Sequence, residues 1–106
     1  GDGFAALRPA VHLLSAPDPQ TLGVELPFPC VWVSPWSRDD GLTPLRDSLV
    51  LTAISSDDEL IDRLVHEPTI GNVYRGSVPT HRAAPEIPHD GFLADFLMRN
   101  KGFAVR

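Results

Sequence analysis

An α/β fold, with a mostly parallel sheet and a βαβ crossover, is what residues 49–75 predict. Three observations carry the expectation. Residues 49–54 (LVLTAI) are a nearly continuous apolar run, the pattern of a strand buried on both faces of a parallel sheet. Ser56, Asp57, Asp58 and Glu59 have the form of a capping box, and Leu60, Ile61, Leu64 and Val65 follow on one helical face. Residues 70–75 then supply a second strand, and a strand, helix and strand of this length join as a right-handed parallel crossover.

The remaining elements follow in order along the chain. Residues 4–14 hold Leu7, Val11, Leu13 and Leu14 around Pro9 and predict an extended, edge-like strand. Residues 16–23 are polar and proline-containing and predict a loop. Residues 28–34 predict a strand through Val31, Trp32 and Val33, entered through Pro27 and Pro29 and closed by Pro35. Residues 36–45 predict a loop leading into a short helix, with Pro44 tolerated only in its first turn. In the crossover, Asp57 and Asp58 suit the positive end of the helix dipole, and His66, Glu67 and Pro68 stop the helix. Residues 77–89 form a proline-rich loop too long for a simple turn, and so a candidate functional segment. Asp90 is placed to cap a last helix whose Phe92, Leu93, Phe96 and Leu97 share one face. Arg99 and Lys101 suit the negative end of that helix, and Gly102 its left-handed cap. Residues 103–105 predict a terminal strand that needs a neighbour.

Composition narrows the function. The 106 residues fit one domain or a part of one, taken here as a single stretch over 1–106. Fourteen acidic against nine basic side chains give a formal charge of −5, and the basic residues are scattered, so no stripe offers itself to phosphates and no nucleic-acid partner is expected. No apolar run approaches the roughly 20 residues of a membrane span, and no charged-then-apolar leader opens the chain, so no membrane partner is expected either. The single cysteine, Cys30, excludes an internal disulfide and suits a reducing, cytoplasmic setting. The absence of an initiating methionine agrees with an excised piece.

Few residues offer chemistry. Cys30 lies between Pro29 and Val31 with no charge beside it to lower its pKa, so a structural thiol is expected rather than a nucleophile. His81, Glu86, His89 and Asp90 make the best case for a metal or acid–base site, because imidazole and carboxylate suit zinc or non-haem iron. Their spacing matches no rigid helical ligand pair, however, and a capping role explains Asp90 equally well. The acidic group Asp57, Asp58, Glu59 and Asp62 reads as a solvated helix start, and Asp39 with Asp40 likewise. Trp32 and Trp36 could stack a ligand ring, although aromatic residues near strand ends more often pack. No glycine-rich phosphate loop and no nucleophile elbow is present.

The order of the motifs goes further. Residues 4–14 followed by Glu25-Leu26-Pro27-Phe28-Pro29 resemble the aldehyde dehydrogenase stretch in which a proline-containing segment leads to Glu-(Ile/Leu)-Phe-Gly-Pro; Pro27 and Phe28 depart from its Phe-Gly. Residues 49–74 resemble the strand–helix–strand unit that follows in the family, with Asn72 at its strand-end asparagine. Pro88-His89-Asp90-Gly91 resembles a Pro-His-Glu-Gly variant of the family's Pro-Phe-Gly-Gly loop, and residues 92–101 its final helix.

The resemblance implies the C-terminal part of an aldehyde dehydrogenase-like catalytic domain. It implies that Glu25 contacts a ribose of NAD or NADP in the parent enzyme, and that Asn72, Tyr74, His81 and His89 lie at the substrate mouth. Residues 77–89 would line the aldehyde tunnel. The family's nucleophilic cysteine, general-base glutamate and nucleotide-binding loop all precede this region, so no catalytic residue, no resident metal and no bound cofactor are expected here, and these residues alone should not oxidise aldehydes. The implied partners are the remainder of the parent and a second copy, paired through strand edges at 4–14 and 103–105. The alternative is a non-catalytic interaction or oligomerisation module.

Overall fold

The structure is a computed structural model and describes residues 3–88, 90–98 and 104–105. The chain divides into two compact units, Gly1–Arg46 and Asp47–Arg106.

In the first unit, strands β1 (Ala10–Leu13) and β2 (Cys30–Val33) pair in parallel, Ala10 opposite Cys30 and Leu13 opposite Val33. Both expected strands are present but shorter, because prolines stop the ladder: Pro29 gives only its carbonyl, which accepts from the Ala10 amide at 3.0 Å. Residues 16–23 are not all loop. A single helical turn, α1 (Pro19–Leu22), forms there because Asp18 caps it and Pro19 presets its first φ. Asp18 accepts from the Gln20 amide and the Thr21 hydroxyl. The Thr21 hydroxyl first, and then the Gln20 amide, hold its carboxyl below the ordinary aspartate value.

Two short 3-10 turns, Arg38–Asp40 and Thr43–Leu45, occupy the segment expected to lead into a helix, with Pro44 in the first turn. Asp40 starts the former by accepting from the Ser37 amide at 2.7 Å and its hydroxyl at 3.0 Å. The β1–β2 pair turns Ala10, His12, Cys30 and Trp32 to its half-buried face, leaving Val11, Leu13, Val31 and Val33 exposed on the other. No described residue of this unit is buried.

The second unit contains the expected crossover. Strand β3 (Val50–Ala53), helix α2 (Asp58–Val65) and strand β4 (Asn72–Arg75) follow one another, and the strands pair in parallel from Val50–Asn72 to Ala53–Arg75. The α2 cap is Asp57, one residue later than the predicted Ser56. The Asp57 carboxylate accepts from the Leu60 amide at 3.1 Å, while its own amide donates to the Ser55 hydroxyl at 3.1 Å. A second correction concerns burial. Only Ala53 of the 49–54 run is buried; Leu49 and Ile54 are 47% and 81% exposed, because among the described residues β3 belongs to a sheet of only two strands. The core among the described residues is Ala53, Leu64, Ile70 and Tyr74.

Helix α3 (Leu93–Met98) begins three residues past Asp90, so Asp90 does not occupy the capping position predicted for it. Phe92, Leu93 and Leu97 are exposed rather than buried as a stripe. The helix-end roles predicted for Arg99, Lys101 and Gly102 lie outside the described residues, as does Phe103; Ala104 and Val105 are in no strand. Among the described residues, no helix is long and apolar enough to cross a membrane.

Candidate functional site

The candidate site is built on the β3–β4 pair. Side chains alternate along a strand, so Asn72 and Tyr74 share one face of β4, and Thr52, opposite Tyr74 in the register, shares it from β3. Each of these three donates to a backbone carbonyl of the proline-rich loop. The Thr52 hydroxyl donates to Val78 at 2.8 Å, the Tyr74 hydroxyl to Arg82 at 2.7 Å, and the Asn72 amide to Pro88 at 3.3 Å.

The loop is ordered by its own turns as well. The Arg82 amide donates to the Pro79 carbonyl at 3.1 Å, and Ala84 and Ile87 exchange backbone bonds of 3.1 and 2.9 Å. Gly76 opens the loop at φ +82°, a conformation that side-chain-bearing residues rarely adopt. On the other face of β4, the Arg75 guanidinium pairs with Asp58 of α2 at 2.8 Å. The loop therefore covers one face of the pair and α2 lies against the other.

At the head of the strands is a cavity of about 270 Å³. Leu49, Gly71 and Asn72 line it from the strands, and Glu86, Pro88 and Phe92 from the loop and the approach to α3. Gly71 is required by close approach: a Cβ there would meet the Leu49 carbonyl oxygen at 2.7 Å. Among the described residues the lining offers an amide, carboxylates and apolar surface.

The sequence-predicted residues are distributed unevenly. Asn72 reaches both cavity and loop. Tyr74 is buried, its hydroxyl engaged by the loop. His81 is exposed within the Pro79–Arg82 turn, and His89 lies outside the described residues. Glu25 belongs to the first unit, exposed between α1 and β2. Its position is steadied by Trp32, whose indole N–H donates to the neighbouring Val24 carbonyl at 3.1 Å and whose ring stacks on His12 at 4.5 Å. The Trp36 N–H donates to the Gly41 carbonyl at 2.9 Å, so both indole N–H groups hold backbone. Cys30 is a half-buried free thiol on β2. No group of three or more His, Cys, Asp or Glu among the described residues is arranged to hold a metal.

Thr52 is the residue that sequence reasoning missed. The signal was a lone hydroxyl in an apolar run, since a hydroxyl partly withdrawn from water needs an acceptor. Comparison with known proteins returned no matching family model, no matching curated protein and no matching solved structure.

Proposed function

We propose that these residues are the C-terminal portion of an NAD(P)-dependent aldehyde dehydrogenase-like oxidoreductase of the cytoplasm, contributing binding and positioning rather than the nucleophile. The observation that supports this most is the Asn72–Pro88 hydrogen bond. It joins two of the segments whose sequences resemble the family, the strand-end asparagine and the loop beginning at Pro88, beside one cavity.

Glu25 has the properties a ribose contact needs: an exposed carboxylate on a segment steadied by Trp32, able to accept from two hydroxyls. NAD or NADP, when bound, supplies the hydride acceptor. The reactive thiolate comes from elsewhere in the parent, since aldehyde oxidation of this type needs a cysteine in an activating environment and Cys30 sits at the head of a strand between Pro29 and Val31. Asn72 and Tyr74 shape the substrate mouth by holding the loop, and His81 lies on that loop.

The exposed face of Val11, Leu13, Val31 and Val33 favours partners that cover it, the remainder of the parent or a second copy. The same face is what a non-catalytic assembly module would present, and it is the reason that reading stands second. Replacing Glu25 by Gln in the full-length protein separates the two. The enzyme reading expects KM for NAD(P) to rise about tenfold as charge-assisted bonds weaken, with the aldehyde KM little changed. An unaltered cofactor KM removes Glu25 from the site.

A further inference from the structure

We propose that residues 77–88 are a hinged strap which lifts from the β3–β4 face, fastened by Thr52, Asn72 and Tyr74, and that its lifting opens the cavity at the head of the strands. The proposal stands independently of the reaction assigned above. Three features carry it. First, among the described residues the loop is fastened to this face by side-chain bonds to carbonyls at Val78, Arg82 and Pro88, not by a strand ladder. Such bonds break singly at modest cost, about 0.5–1.5 kcal/mol each, whereas a strand ladder is lost cooperatively.

Second, the backbone bonds within the strap close its own two turns, Arg82 to Pro79 and Ala84 with Ile87, and so do not tie it to the strands. Once lifted, the two turns have no outside support and open to solvent. Third, a pivot stands where the strap leaves β4. Gly76 has φ +82°, where glycine alone turns freely, while its amide stays bonded to the Ala53 carbonyl at 2.9 Å. The far end of the strap supplies Glu86 and Pro88 to the cavity wall, so lifting it removes that wall. In this arrangement Thr52 and Tyr74 are positioning residues that set how often the cavity opens.

The Tyr74–Arg82 bond gives a direct reading of strap opening. Trypsin cleaves after Arg82 only when that carbonyl is released to the protease, and this is the oxygen the Tyr74 hydroxyl holds. In the full-length protein, Tyr74→Phe and Thr52→Val keep the buried shapes and delete one fastening each. Each is expected to speed cleavage after Arg82 by roughly twofold to tenfold, and the pair by more than either alone. Hydrogen exchange at Arg82, Ala84 and Ile87 should rise in step, while the β4 amides and cleavage after Arg63 in α2 hold their rates. Arg75→Ala, which breaks the contact on the other face, should leave the strap rates as they are. The proposal is overturned if strap and strands accelerate together, which means global unfolding, or if neither substitution changes cleavage after Arg82.

Discussion

At Asp18, one carboxylate accepts from the Gln20 amide and the Thr21 hydroxyl, and this is enough to wind Pro19–Leu22 into a turn of helix. The hydrogen bonds favour the charged carboxylate, so its folded pKa lies below the ordinary 3.8. A depressed carboxyl pKa stabilises the fold above the unfolded value, and that contribution disappears as pH falls through the lower folded value. An NMR titration should therefore place the Asp18 midpoint below 3.8, and Thr21→Val should move it upward; a midpoint at or above 3.8 in the unaltered protein contradicts the cap. Asp-Pro-x-Thr carries this turn in plain sight, although prolines at 17 and 19 equally suit a loop. Thr52 and Tyr74 differ in kind. That each needs an acceptor follows from its chemistry, but which carbonyl answers does not, because backbone oxygens carry no residue identity.

Among the elements, the β3–α2–β4 crossover was the most legible, since an apolar run, a helical stripe and a second apolar run have distinct periods. Its boundaries were less so. Ser56 and Asp57 are both competent caps, and the choice of Asp57 was made by the backbone around Ser55, which takes the Asp57 amide. Helix α3 starts at Leu93, three residues past Asp90, and Phe92, Leu93 and Leu97 are exposed. Gly71 looks ordinary in the sequence and matters only once the strands are paired. There a Cβ would press on the Leu49 carbonyl oxygen at 2.7 Å and strain the Gly71–Ser48 backbone bond. Gly71→Ala is expected to lower stability by about 1–3 kcal/mol, seen as a lower urea midpoint with an unchanged slope. An unmoved midpoint means the strand heads are not so close.

At the scale of the fold, α/β character and the parallel β3–β4 crossover were readable, whereas the described strands form two separate two-stranded sheets instead of the one sheet expected. Burial was not readable in the same way. Alternation along β1 and β2 assigns Val11, Leu13, Val31 and Val33 to one face, but whether that face is covered depends on atoms a local pattern does not contain. For the loop, residues 77–89 stand out in the sequence as a long proline-rich segment, while its fastening by Thr52, Asn72 and Tyr74 needed coordinates. The functional reading makes these residues a supporting part whose reactive sulfur lies elsewhere in the parent. Aldehyde-dependent formation of NADH or NADPH tests it most directly, measured in parallel on the 106 residues and on the entire protein their gene encodes. The 106 residues should be silent and the entire protein active; turnover by the 106 residues, or none by the entire protein across a broad set of aldehydes, contradicts it.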